Sequence, residues 1–174
     1  MVAIALGRHE GRIHTVDEAP GDITIVKSRR VDDALELVEA FSSDDSSLLS
    51  ITRAFPDKLN LPVSFGFVDY YWLTNMVGER RVSPTSLGRI VSIVKSAAEG
   101  MKKTVIFLEG IEYLVLENDF NAVLKTLNQV CDIAVNSDSK VFISVDPVAL
   151  NQKEIAMIER TCSASVVEAD YDQF

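Results

Sequence analysis

Acidic side chains directly follow two apolar runs of the sequence. The run TVIFL at 104–108 precedes Glu109 and Glu112, and the run KVFISV at 140–145 precedes Asp146. Strands of nucleotide-hydrolysing domains often end in an acid that holds magnesium for phosphoryl transfer. If both runs are strands of one sheet, the three carboxylates gather at one edge. They would then either hold a metal ion or simply mark where the strands reach water.

The sequence lacks the phosphate-binding loop that such a metal site would serve. A P-loop needs glycines whose backbone amides surround a phosphate, together with a lysine and a hydroxyl group. The first predicted strand-to-helix turn, VKSRRVDDA at 26–34, contains no glycine, and its Asp32 and Asp33 would repel a triphosphate. The segment EGMKKT at 99–104 precedes a strand, which is the wrong end for a ligand. Nucleotide hydrolysis is therefore not expected.

The same turn offers a simpler way to bind an anion. Arginine can hold phosphate through its guanidinium fork without a glycine loop, and ligands of open α/β sheets bind beyond the carboxyl ends of the strands. The candidate ligand-binding residues are therefore Ser28, Arg29, Arg30, Glu109, Glu112 and Asp146. The alternative is structural, because charged residues at strand and helix ends usually face water or stabilise the helix end.

Tyr70, Tyr71 and Trp72 are candidate interaction residues. Aromatic side chains with polar tips are enriched in protein interfaces. They also close the edge of a core, with their polar atoms reaching water. Both interpretations remain open from the sequence.

Other catalytic constellations are missing from the sequence. No serine lies in a G-x-S-x-G elbow, and Cys131 and Cys162 lie in no catalytic or metal-binding motif. Cys131 falls on the apolar side of a predicted helix and is interpreted as a small core residue. His9 and His14 do not form a zinc site by themselves. We expect no catalytic residue, no metal and no cofactor.

Strands and helices alternate along the chain that must position these residues. Helical periodicity predicts helices at 31–41, 83–100, 119–135 and 151–162, with Ser83 and Asn118 as caps and Pro84 in the first turn of the second helix. Apolar, β-branched runs predict strands at 22–28, 48–55, 61–74, 104–115, 140–145 and 164–169.

The central strands are apolar throughout rather than alternating, which is typical of a parallel sheet covered by helices on both faces. The sequence predicts an α/β, three-layer fold with a mostly parallel sheet. We expect a single domain over 1–174, with a small β-hairpin at 1–20 and the α/β core at 22–168.

Composition restricts the partners. The net charge is −9, whereas proteins that bind nucleic acid usually carry a basic stripe. No apolar run approaches the length of a membrane span, and the start of the chain does not resemble a secretory signal. We expect a cytoplasmic protein without nucleic-acid partners or membrane insertion.

Several motifs in one order resemble the domain-of-unknown-function family numbered 835, found mainly in archaea. They are YWLT, SPTSLGRI, TVIFLEGIEYLVLENDFNAVLKTLNQVCD, VFISVDPVAL and KEIAMIER. The family usually has Asp where this chain has Glu109. Its pattern is similar to KaiC/RecA-type ATPases, with a metal-holding strand at TVIFLEGIEYLV and a sensing strand at KVFISVDP. This chain keeps that order without the phosphate loop.

The resemblance implies a degenerate RecA/KaiC-like fold and points to signalling or regulation. Our first hypothesis is a non-catalytic module that docks a protein partner or forms a homodimer. The second is a sensor that binds a small anion or nucleotide without hydrolysis. The third is a residual hydrolase that uses Glu109 and Asp146 with a metal.

Overall fold

The computed structural model describes residues 22–169, and the hairpin predicted at 1–20 lies outside this range. Strands and helices alternate through it, with one turn of 3-10 helix at Pro56–Lys58. The elements are β1 (Ile23–Lys27), α1 (Val31–Ala40), β2 (Ser47–Thr52), β3 (Phe67–Leu73), β4 (Arg81–Val82), α2 (Leu87–Gly100), β5 (Thr104–Leu108), α3 (Ile111–Glu117), α4 (Phe120–Ser137), β6 (Lys140–Val145), α5 (Gln152–Cys162) and β7 (Ser165–Glu168).

All seven strands of the described chain form one parallel sheet in the order β4-β3-β2-β5-β6-β1-β7. The registers align apolar residues across the centre, where Ile25 pairs with Ile143 and Leu49 pairs with Ile106. The α/β fold predicted from the sequence is confirmed. Because every strand is parallel, the carboxyl ends of all seven strands lie along one edge of the sheet.

Helices cover both faces of the sheet. Alternate residues of a strand point to opposite faces, so Leu49 and Ile51 of β2 pack with α2–α5, whereas Leu48 packs with α1. The strands β5 and β6 are buried along almost their whole length. The uniformly apolar central strands are thus covered on both sides, as predicted.

The segment predicted as a strand at 104–115 divides into a strand and a helix. The strand β5 ends at Leu108, and Gly110 adopts a left-handed conformation with φ of 92°. An extended strand cannot continue through that conformation. The helix α3 follows, and it buries Ile111 and Leu114, which are one helical turn apart.

Two predicted helix starts are also wrong. Helix α2 begins at Leu87, because Ser83 bonds to Asn75 and Thr85 instead of capping a helix. Helix α4 is capped by Asp119, whose carboxylate accepts a hydrogen bond from the amide of Ala122 at 2.9 Å. The side chain of Asn118 instead donates to the carbonyls of Leu114 and Pro84, which ties the end of α3 to the turn before α2.

The strand predicted at 61–74 is shorter than expected and lies near the edge of the sheet. It begins at Phe67, and only Trp72 and Leu73 pair with the short strand β4. The aromatic residues of β3 are therefore less covered than an apolar run suggests, and Tyr70 remains 38% exposed.

Candidate functional site

The carboxyl ends of β1, β5 and β6 bring most of the predicted ligand-binding residues together. A cavity of about 180 Å³ is lined by Ser28, Arg29, Val31, Glu109, Glu112, Ser144, Asp146 and Ala149. The sixth predicted residue, Arg30, lies outside this cavity; its side chain is exposed and its Nε atom is 4.0 Å from a carboxylate oxygen of Asp33. We call this space the switch-point cavity.

The strand order explains why a cavity forms there. The chain leaves β1 toward α1 on one face of the sheet, and it leaves the neighbouring strand β6 toward α5 on the other face. Such a reversal opens a crevice beyond the strand ends, which is the usual ligand site of open α/β sheets.

Glu109 binds backbone amides of the neighbouring strand end. Its Oε2 atom accepts hydrogen bonds from the amides of Arg53 at 2.9 Å and Ala54 at 3.3 Å. Burial raises the pKa of Glu109, and the two amides and the Arg53 guanidinium partly offset that rise. The carboxylate therefore fixes the chain that follows β2.

Glu112 performs a similar role at the next strand. Its carboxylate accepts a hydrogen bond from the amide of Asp146, directly after β6. Burial raises the pKa of Glu112, and the negative charges of Glu109 and Asp146 raise it further, whereas the Asp146 amide acts in the opposite direction. Asp146 accepts a hydrogen bond from the amide of Val148 at 2.8 Å, so each of these carboxylates has a partner in the protein's own backbone.

Residues 28–30 form a tight turn rather than a phosphate cradle. The Ser28 hydroxyl lies 2.7 Å from the carbonyl oxygen of Arg30 and accepts the Arg30 amide at 3.2 Å. Asp32 and Asp33 occupy the first turn of α1, where partial positive charge would otherwise favour a phosphate. The Asp32 carboxylate there accepts the amide of Asn60 at 3.2 Å.

The three-carboxylate arrangement does not converge like a metal site. Across residues 22–169, no group of three or more His, Cys, Asp or Glu side chains is placed to hold a metal ion. The geometry of the cavity therefore favours the use of these acids as hydrogen-bond acceptors for backbone amides.

A second cluster lies where β2 and β3 end and β4 begins. We define the arginine–aromatic surface as Arg53, Phe55, Trp72, Arg81 and Tyr113. The Arg53 guanidinium carbon lies 4.5 Å from the centre of the Tyr113 ring and 6.0 Å from that of Trp72. The Arg81 guanidinium carbon lies 5.5 Å from the centre of the Trp72 ring, and Phe55 meets Trp72 edge-on with ring centroids 4.9 Å apart.

Hydrogen bonds to backbone carbonyls position the side chains of this surface. The Trp72 indole donates to the Arg53 carbonyl at 3.0 Å, and Arg53 donates to the Leu73 carbonyl at 3.1 Å. Arg81 donates to the Val77 carbonyl at 2.8 Å. Within the described range, the ion pairs are Arg30–Asp33, Arg80–Asp69 and Lys103–Asp45, so neither Arg53 nor Arg81 has a carboxylate in salt-bridge contact.

The three predicted interaction residues do not share one face. Alternation along β3 places Tyr70 and Trp72 on one side of the sheet and Tyr71 on the other. Tyr71 packs against the core beneath α2 and lines a groove of about 400 Å³ there. Trp72 is thus the member of the predicted trio that joins the arginine–aromatic surface.

Sequence reasoning missed Gly110, Tyr113 and the contacts of Arg53 with aromatic rings. A β-carbon at Gly110 would lie 2.7 Å from the Arg53 β-carbon, so this glycine permits the close approach of α3 to the end of β2. One signal for the turn was present in the sequence, because Gly110 directly follows Glu109, the acid at the end of the strand. No local pattern indicates the contact of Arg53 with Tyr113, because it joins residues sixty positions apart.

A family model matches residues 27–162, under the description "Protein of unknown function (DUF835)". The chain belongs to the DUF835 family. The match covers both the switch-point cavity and the arginine–aromatic surface of this DUF835 chain. No curated protein is similar enough to count as a match. Among the helices described for the DUF835 chain, none is long and apolar enough to cross a membrane.

Proposed function

We propose that this DUF835 chain is a non-catalytic interaction or regulatory module that docks a protein partner, or a second copy of itself, through the arginine–aromatic surface. The observation that carries the proposal is the contact of Glu109 with the amides of Arg53 and Ala54. In a nucleotide-hydrolysing domain, an acid at this position would hold magnesium. In this chain, Glu109 instead fixes the segment that follows β2 and carries part of the arginine–aromatic surface.

The composition of the surface supports this role. Trp, Tyr and Arg dominate the residues that contribute most to binding in protein interfaces. Guanidinium groups above aromatic rings keep their remaining donors available for an incoming carboxylate or carbonyl. Neither Arg53 nor Arg81 is in salt-bridge contact with a carboxylate of the described range, although the net charge of the chain is −9. Both guanidinium groups would complement an acidic patch on a partner.

The proposed ancestry is a RecA/KaiC-like fold that has lost its phosphate loop. The strand order supports this ancestry. The segment that resembles the metal-holding strand forms β5, and the segment that resembles the sensing strand forms its neighbour β6, with β1 directly beside β6. The turn after β1, where a phosphate loop would lie, is occupied by the Ser28 hydrogen bonds and by the acids of α1.

The proposal can be tested by comparing wild type with Arg81→Ala and a matched control, Arg160→Ala, on the exposed surface of α5. Light scattering would report the mass in solution, and each protein would serve as bait in an extract of its source organism. We expect a dimer mass or a captured partner that is lost in Arg81→Ala and retained in Arg160→Ala. The proposal would be contradicted if wild type and both variants were monomers and captured the same proteins.

A small-anion sensor is the second candidate, because Ser28 and Arg29 line the same cavity as Asp146. The cavity is smaller than the roughly 300 Å³ at which ligand pockets usually begin, and three carboxylates line it. Thermal unfolding with phosphate, ATP or cyclic dinucleotides tests this candidate. A rise in the unfolding midpoint that disappears in Arg29→Ala would favour the sensor over the interaction module.

A further inference from the structure

The two cysteines of the chain meet at one buried position. Cys131 lies in the middle of α4 and Cys162 is the last residue of α5, and both are free and 3% exposed. Both side chains belong to the same core cluster and line one cavity. The packing of α4 against α5 thus brings the two cysteines of the chain to one cavity.

A cavity connects this thiol pair to the surface. Its volume is about 270 Å³, and Cys131 and Cys162 line it together with polar residues that include Asp22, Asp132 and Ser163. Asp22, Asp132 and Ser163 are exposed, so the cavity opens to solvent beside the two cysteines. The negative charges of the two aspartates repel anionic reagents such as oxidised glutathione. Neutral reagents are therefore the class that suits this cavity.

The position of Cys162 also allows it to move. Ser163 follows it in a left-handed conformation with φ of 50° and ends the helix. A residue at a helix end has fewer backbone hydrogen bonds to break than one in the middle. Cys162 can therefore move towards Cys131, whose backbone is fixed because helix α4 continues on both sides of it.

We propose that Cys131 and Cys162 form a dithiol site that a small neutral hydroperoxide, such as hydrogen peroxide, converts into an intramolecular disulfide. The Cys162 thiolate attacks one peroxide oxygen, the O–O bond breaks, and the hydroxide released takes a proton to become water. The Cys131 sulfur then attacks the Cys162 sulfenic acid, its proton leaves, and the S–O bond breaks to release a second water. The dithiol loses two electrons and the peroxide gains them.

The assignment of Cys162 as the attacking group agrees with the electrostatics. The interaction of the two neighbouring thiols lowers the pKa of Cys162 and raises the pKa of Cys131, because a thiolate at Cys162 is favoured while Cys131 keeps its proton. Asp132 raises the pKa of both thiols, which moderates the reactivity of the site.

The test uses the full chain, reduced and then treated with hydrogen peroxide. We expect titratable thiols to fall from two to none, intact mass to fall by about 2 Da as two hydrogens leave, and a peptide joining residues 131 and 162 to appear. Three outcomes would overturn the proposal. The cysteines could be oxidised without a bond between them, they could form a disulfide between two molecules, or both thiols could persist after treatment.

Two controls separate a built site from general thiol oxidation. Disulfide formation should be faster in the folded chain than in urea, because folding brings the sulfurs together; a slower reaction when folded would count against the site. In Cys131→Ser, Cys162 should form a sulfenic acid trapped by dimedone, whereas Cys131 in Cys162→Ser should react several-fold more slowly. Equal rates in the two variants would overturn the assignment of Cys162.

Discussion

At the scale of single residues, the acids of the switch-point cavity hold the strand ends in register. Glu109 and Glu112 each reach a backbone amide on another element, and burial raises the pKa of both carboxyl groups. A buried amide left without an acceptor costs about 1–3 kcal/mol. The hydrogen bonds therefore explain why charged side chains are kept in a partly desolvated position.

These pKa shifts predict a pH dependence of stability. A carboxyl group whose pKa is raised by folding binds more protons in the folded chain. Its contribution to stability is therefore greatest below the unfolded value of 4.5 and is lost as pH rises through the folded value. Glu112→Gln removes that titration while keeping an oxygen for the Asp146 amide. The free energy of unfolding of this variant, relative to wild type, should increase from pH 4.5 to neutral pH.

Urea unfolding at the two pH values measures this difference. Glu117→Gln is the matched control, since Glu117 is exposed at the end of the same helix α3. The control should show the same offset from wild type at both pH values. If Glu112→Gln also showed a constant offset, desolvation of Glu112 would not shape the stability of the fold.

At the scale of elements, the turn between β5 and α3 decides where the site is built. Gly110 combines a φ of 92° with a close approach to Arg53, and both requirements exclude a side chain. The turn directs α3 so that Glu112 faces the end of β6 and Tyr113 faces Arg53. One residue thus connects the switch-point cavity with the arginine–aromatic surface.

Gly110→Ala should destabilise the fold by about 1–3 kcal/mol, because alanine is strained at positive φ and its β-carbon would meet the Arg53 β-carbon at 2.7 Å. Chemical denaturation measures the loss. Gly88→Ala is the control, since a β-carbon there meets no atom within 4 Å and alanine favours the helix. Equal stability of the two variants would show that the turn tolerates a side chain.

At the scale of the whole molecule, β4 covers only part of the edge of the sheet at β3. Residues 67–71 of β3 have no strand paired beyond them in the described structure, because β4 pairs only with Trp72 and Leu73. Asp69 pairs with Arg80, and its carboxylate accepts the Tyr70 amide at 2.9 Å. Charged side chains at such edges discourage strand pairing between molecules.

Asp69→Ala should therefore increase self-association of the protein, because it removes the charge and frees the Tyr70 amide for a neighbouring chain. Light scattering over a concentration series would show a rising average mass and earlier aggregation on heating. Asp57→Ala, at an exposed position of the 3-10 turn, should behave like wild type. An unchanged mass for Asp69→Ala would mean that the twist or shortness of the edge protects it without Asp69.

The sequence by itself determined the class of the fold. Uniformly apolar runs such as KVFISV and helical stripes such as that of α4 are local patterns, and burial alone produces them. The strand therefore forms at its predicted bounds, and the helix forms at 120–137 instead of the predicted 119–135. The same reasoning placed Ser28, Glu109 and Asp146 at strand ends and hence at one cavity. It failed for α3, because an apolar run does not show whether a single glycine inside it turns the chain.

Only the tertiary structure decided what the strand-end acids touch. Glu109 meets the amides of Arg53 and Ala54, more than fifty residues earlier in the chain, because β2 and β5 are neighbours in the sheet. The contact of Arg53 with Tyr113 and the position of Cys131 and Cys162 at one cavity depend likewise on strand order and helix packing. Periodicity is a property of neighbours in sequence, whereas these contacts join residues that only the folded sheet brings together.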